Sequence, residues 1–327
     1  MSKKHIRILA CGGTIAGRAA SGNAYRAGEL GIAQLLEDIT RAGCDWPIET
    51  QIVSSAGSQD IGEKQWQALH EKALAALSDD DVIGLVITHG TDTAEETALL
   101  LDRTLTTPKP IVLVGAMRTS DTLGSDALRN LANSLRVATD DNAARRGVLV
   151  VMGDTIHTAC DIRKTATQGI NAFASYPRGP LGRVTPFSLD WFVVANRYET
   201  EPRHIFPTKL PRVEILYIYA GMDCQLIDTL LSTRPAGLVT AGLGQGNAPS
   251  AVLTALGKAV KAGIPVIRAS RVDDGFVDRN VEVDDDFFGF VTARAFNPQK
   301  ARIQLQLLLA EGYRDMSTLQ AAFDRHD

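Results

Sequence analysis

The feature that most constrains this chain is an alternation running through its first two-thirds. Short β-branched apolar runs are followed by clusters of Gly, Ser, Thr and Asp, and these by segments of helical spacing. Residues 6–10, 82–88, 110–114 and 147–152 are apolar nearly throughout, the pattern of strands covered by helices on both faces. Such strands are expected to be parallel neighbours. Between them, residues 65–77 place Trp66, Leu69, Ala73 and Leu77 on one helical stripe. Residues 95–105 open with Glu95 and Glu96, where a helix N-terminus favours negative charge. The sum predicts an α/β fold, a mainly parallel sheet with helices on both faces.

A length of 327 residues exceeds what one core usually supports, so two domains are expected. The texture changes across residues 176–211, which Pro177, Pro180, Pro186, Pro202 and Pro207 interrupt. We read residues 1–195 as a larger N-terminal domain, 196–212 as a linker and 213–327 as a smaller C-terminal α/β domain. In the last, 213–219, 237–241 and 264–269 read as strands and 250–262 as a helix. The last long helix is expected to use Asn297 as N-cap, with Pro298 at its first position.

Composition narrows the classes of function. A 45% hydrophobic, 22% charged chain is globular rather than disordered. Its net charge of -4, with Lys and Arg scattered singly, offers no field for nucleic acid or an anionic membrane, so a small-molecule partner is the default. Cys11, Cys44, Cys160 and Cys224 form no CxxC pair, which gives neither a zinc spacing nor a disulfide framework; they read as free thiols. Neither a signal-peptide apolar region nor a membrane-length stretch is present, so a cytoplasmic location is expected, or a periplasmic one if a leader has been removed.

Three polar clusters stand just beyond expected strands: Cys11 to Gly17, Gly57-Ser58-Gln59-Asp60, and His89-Gly90-Thr91-Asp92-Thr93. In open α/β sheets ligands bind at the carboxyl ends of strands, so these loops could converge on one crevice. Glycines around Thr14 make its hydroxyl accessible, although a tight turn or a phosphate loop would use the same residues. Thr91 and Asp92 suit a helix start that binds an anion or an oxyanion, and equally a plain N-cap. His89 alone is more consistent with a structural role. The chain has no G-x-S-x-G elbow, no H-E-x-x-H helix and no metal-ligand spacing, so a mechanism without metal or cofactor is expected. A threonine nucleophile needs an adjacent base or a perturbed lysine, and Lys164 is one candidate among many lysines.

The order of these loops resembles the bacterial-type L-asparaginases nearly end to end. Gly12-Gly13-Thr14-Ile15-Ala16-Gly17 is similar to that family's first signature, and His89 to Thr93 with Glu95-Glu96-Thr97 to its second. Further matches are Val114 to Arg118, Lys164-Thr165, Glu282 to Asp285 and Asn297 to Arg302; the last segments are most similar to the type II branch. Departures are Cys11 in place of Thr, Thr119 in place of Pro, and Ala127-Leu128 in place of Gly-Pro.

The resemblance implies an L-asparagine amidohydrolase. Thr14 would form the acyl-enzyme with help from Tyr25, while Thr91, Lys164 and Asp92 would form a second triad. Whether Thr91 relays the proton or activates the deacylating water stays open. Ser58, Gln59 and Asp92 would hold the substrate's carboxylate and ammonium, and the Ala116 backbone would meet its amide. Asn247 and Glu282 would complete the pocket of a neighbouring subunit, which implies a homodimer, and a homotetramer built as a dimer of dimers. Gln59 stands where strong glutaminases often carry Glu, which favours asparagine with minor glutaminase activity. Three other readings fit less well. An amidotransferase subunit usually has an extra N-terminal domain, a silent amino-acid sensor need not keep Thr14, Tyr25, Thr91, Asp92 and Lys164 together, and a nicotinamide dehydrogenase lacks its ribose-binding acid.

Overall fold

The computed structural model describes residues 4–13, 18–20, 24–26, 37, 46–185, 187–195 and 203–325. The chain divides into two compact units, Met1–Arg203 and His204–Asp327, each described by itself.

The first unit holds an eight-stranded sheet, ordered β12-β11-β8-β7-β6-β5-β1-β4. Its parallel part consists of β7 (Val148–Met152), β6 (Ile111–Val114), β5 (Val82–His89), β1 (His5–Cys11) and β4 (Ile48–Ile52). The expected strands are thus parallel neighbours. The pleat explains their continuous apolar character. Ile6, Ile8, Val86, Val112, Val114, Leu149 and Val151 enter one core layer beside Leu131 and Leu135 of helix Ala127–Ala138. The alternate residues Leu9, Leu85, Ile87, Leu113, Val148 and Val150 enter the other layer, against Leu69 and Ala73 of α1 (Glu63–Ser78) and Ala98 and Leu101 of α2 (Ala94–Thr104). In chain order Ala127–Ala138 is α3. Trp66 Nε1 donates to Thr97 Oγ1 at 2.8 Å, joining α1 to α2. Glu95 and Glu96 lie in the first turn of α2.

The sheet extends through short antiparallel strands, β8 (Thr155–Thr158), β11 (Gly182–Val184) and β12 (Leu189–Trp191). The last two fall inside the proline-rich stretch, where three-residue strands are too short to show an alternating pattern. Among the described residues two small antiparallel pairs accompany the sheet: β2 (Arg18–Ala20) with β3 (Ala24–Arg26), and β9 (Ile162–Lys164) with β10 (Phe173–Ser175).

The second unit has a four-stranded parallel sheet, β13 (Val213–Tyr217), β14 (Gly237–Gly242), β15 (Val266–Ser270) and β16 (Val291–Thr292). Its helices are α4 (Gln225–Ser232), α5 (Ser250–Lys261), α6 (Asp285–Phe288), α7 (Pro298–Ala310) and α8 (Met316–Asp324). Asn297 caps α7, its Oδ1 accepting from the Lys300 N–H at 3.1 Å. Residues 204–211 are fastened to this unit: His204 Nδ1 meets Glu311 Oε2 at 2.9 Å and Gln306 Nε2 donates to the Pro211 carbonyl at 2.9 Å.

Candidate active site

Because β1, β4, β5 and β6 run parallel, their carboxyl ends lie along one edge of the sheet, and each feeds a polar loop there. The loops meet through glycines. A Cβ on Gly13, whose φ is +87°, would collide with the Gly90 backbone, and one on Gly90 would stand 2.7 Å from Ser58 Cβ. Only residues without side chains permit this approach. Gly115 closes the group from β6, where a Cβ would stand 3.2 Å from Thr91 Cγ2.

Polar contacts then order the loops. The Asp92 N–H donates to Ser58 Oγ at 3.2 Å, and Thr93 Oγ1 donates to the Ser58 carbonyl at 2.8 Å. Lys164 arrives from β9, a strand anchored by the fully buried Ile162 two residues earlier. Its Nζ donates to Thr91 Oγ1 at 2.9 Å and to Asp92 Oδ1 at 2.6 Å. Thr91 is buried, whereas the Asp92 side chain is 59% exposed and that of Lys164 17%. A hydroxyl, an ammonium and an accessible carboxylate are therefore in direct contact. The ammonium can steady negative charge that develops on Thr91 Oγ1, and the open side of Asp92 can receive a cationic group.

The Ala116 segment is held by residues that the sequence did not single out. Asp126 accepts from the Met117 and Arg118 N–H groups at 3.0 and 2.9 Å, and Asn130 Nδ2 donates to the Gly115 carbonyl at 2.9 Å. Asn130 also accepts from the Gly153 N–H at 3.1 Å, so one buried amide fixes the loops after β6 and β7. Polar residues recurring on the inner face of α3 were the available signal.

His89 is fully buried, with Nδ1 on the Gly90 carbonyl at 2.7 Å. Burial pulls its pKa down to about 4, so the ring is neutral near pH 7 and serves as a wedge beneath the loop. Burial also pushes the Cys11 thiol up to about 12, which makes it inert as a nucleophile. Cys11 and Cys224 are free thiols, and Cys160 Sγ accepts from Arg103 Nη2 at 3.4 Å; Cys44 lies outside the described residues. Among the described residues no group of three or more His, Cys, Asp or Glu is placed to hold a metal ion.

The structure brings together Ser58, Thr91, Asp92 and Lys164, with the Ala116 loop adjoining them through Gly115. Gln59 is exposed and turns to its neighbour, donating to Asp60 Oδ2 at 3.3 Å. Thr14 lies outside the described residues, and of Tyr25 only the backbone, in β3, is described. Asn247 and Glu282 belong to the second unit, where Asn247 Nδ2 donates to Glu282 Oε2.

Comparison with known proteins gives the same answer along both units. The family model "Asparaginase, N-terminal" matches residues 5–194, and "Glutaminase/Asparaginase C-terminal domain" matches residues 212–323. The chain is 39% identical to a probable periplasmic L-asparaginase of Haemophilus influenzae, the match covering 98% of this chain and 92% of that one. It is 38% identical to L-asparaginase 2 of Escherichia coli, over 98% of this chain and 93% of that one. A glutaminase-asparaginase of Pseudomonas fluorescens is 36% identical, over 98% and 90%. With its loops at the strand ends and its two units both matched, the chain belongs to the L-asparaginase family.

Proposed function

We propose that the chain, as an L-asparaginase, hydrolyses the side-chain amide of L-asparagine through a threonine acyl-enzyme. Thr14 Oγ attacks the amide carbon, the C–N bond breaks and ammonia leaves with the proton that Thr14 gave up. Water then cleaves the ester, releasing L-aspartate and restoring the hydroxyl. Tyr25 assists the first step, and the Thr91–Lys164–Asp92 group handles the proton inventory. The observation that carries this reading is the Lys164 ammonium bridging Thr91 Oγ1 and Asp92 Oδ1, which places a charge-stabilised hydroxyl beside an accessible carboxylate.

Substrate choice follows from charge. The open face of Asp92 suits the α-ammonium of a free amino acid, and Ser58 Oγ, already accepting from Asp92 N–H, keeps its own proton to donate to the α-carboxylate. Gln59 and the Ala116 backbone complete the contacts with the substrate. A pocket separates amides differing by one methylene by only about 1–3 kcal/mol, so slow glutamine hydrolysis accompanies the main reaction. Asn247 and Glu282 are assigned to the pocket of a neighbouring copy, within a homodimer that pairs again as a tetramer.

One experiment tests the nucleophile and the shared pocket together. Ammonia release from L-asparagine is measured for Thr14→Ala, for Asn247→Ala and for their mixed oligomers. We expect Thr14→Ala to be inactive and Asn247→Ala strongly impaired, while the mixture regains activity because some sites combine an intact Thr14 with an intact Asn247. Full activity in Thr14→Ala would overturn the nucleophile, and mixtures no better than their parents would overturn the shared pocket.

A further inference from the structure

β15 carries a charge among the buried apolar residues Val266, Ile267 and Ala269. Arg268 is 2% exposed, and its guanidinium uses all five N–H donors. Nε and Nη2 grip Asp285 at 2.6 and 2.8 Å as a planar fork. Nη1 donates to the carbonyls of Gln245 and Gly246, both at 3.1 Å, and Nη2 also to that of Asp278 at 3.3 Å. Asp285, itself fully buried, accepts the Asn280 N–H at 2.9 Å. One cation therefore joins the loop after β14 to the segment leading into α6.

The two joined stretches carry one functional residue each. Asn247 directly follows Gly246, and Glu282 lies between Asn280 and Asp285. The first loop is also closed on itself, Leu243 and Asn247 exchanging backbone hydrogen bonds at 2.8 and 2.7 Å. Asn247 Nδ2 donates to Glu282 Oε2, while Asn247 Oδ1 is buried and has no donor among the described residues. The exposed Glu282 carboxylate, held by the Asn247 amide, is an acceptor suited to an ammonium group, provided that the two loops stay in register.

We propose that Arg268, through its fork on Asp285, is a positioning residue for substrate binding: it holds Asn247 and Glu282 so that the Glu282 carboxylate, oriented by the Asn247 amide, can meet the substrate's ammonium. The proposal rests on the assignment of Asn247 and Glu282 to the pocket. Lysine cannot replace this arginine, because three donors on a point charge cannot span Asp285 and three backbone carbonyls at once. Arg268→Lys keeps the charge for Asp285 and releases the loops.

The test is a double-mutant cycle on the steady-state kinetics of asparagine hydrolysis, using Asn247→Ala, Arg268→Lys and the double variant, with melting temperature and elution volume followed for each. Each single change is expected to raise KM by roughly tenfold, equivalent to about 1.4 kcal/mol, with a much smaller change in kcat. The double variant should fall short of the product of the two, because both changes act on one contact. A native KM for Arg268→Lys, or a full product in the double variant, would overturn the proposal. A native KM for Asn247→Ala is a separate outcome: it removes Asn247 from the pocket, and the positioning role falls with it. If Arg268→Lys fails to fold, Asp285→Asn, which keeps the side-chain shape but loses the charge, takes its place in the cycle.

Discussion

Two of the molecule's cation–carboxylate pairs have opposite characters. In the second unit, Arg268 and Asp285 are 2% and 0% exposed at their side chains, and every guanidinium donor is occupied. In the first unit, Lys164 and Asp92 are 17% and 59% exposed, and the carboxylate keeps an open side. A saturated pair has nothing left to offer a ligand, so its work is to hold backbone. An open pair fixes little backbone and keeps electrostatic capacity for a bound molecule. Burial separates the saturated pair from the open one, although both have similarly short N–O distances, each 2.6 Å.

Removing one partner from the saturated pair gives the largest expected loss of stability. Asp285→Ala strands a buried guanidinium and should lower unfolding free energy by about 3–5 kcal/mol in denaturant titration. A loss below about 1 kcal/mol would place this pair with ordinary surface ion pairs.

His89 provides an intermediate effect, because it is buried but only partly satisfied. Its folded pKa, about 4, lies below the ordinary 6.5, so the unfolded chain binds more protons between these values. Its contribution is therefore complete above pH 6.5 and lost as the pH falls towards 4, reaching about 2 kcal/mol by pH 5. His89→Gln should flatten the decline in stability over that window. An unchanged pH profile would show that other groups dominate acid unfolding.

The smallest effect belongs to the open pair. Asp92→Asn should change stability by less than about 1 kcal/mol, the range of exposed ion pairs, while removing the charge that we propose receives the substrate's ammonium. A large drop in melting temperature would give Lys164 and Asp92 a scaffolding role and erase the contrast with the second unit.

The parallel core was legible because strands buried on both faces are apolar at every position, as Leu85, Val86 and Ile87 show. Helix α3 was not recognised from the sequence. Its inward Asn130 and Asn133 serve the loops rather than the core, donating to the Gly115 and Gly153 carbonyls, and they interrupt the apolar stripe. Strands β11 and β12 are hidden by their brevity, and the nine-residue α8 lies beyond the last long helix that the sequence predicts. At the site, Thr91 and Asp92 were visible as a polar cluster beyond a strand. Lys164, 72 residues from Asp92, was chosen through family resemblance, since no local pattern distinguishes it from other lysines. Arg268 did carry a sequence signal, a charge within a strand expected to be buried, which calls for a buried partner.

The most direct test of the central claim is kcat for ammonia release from saturating L-asparagine by wild type and Lys164→Met, with melting temperature measured on the same samples. The account predicts a fall in kcat of roughly 10²–10⁴-fold, with little change in melting temperature, because the open pair serves the reaction rather than the fold. A Lys164→Met protein with near-wild-type kcat, or one that loses activity only because it has unfolded, would contradict it.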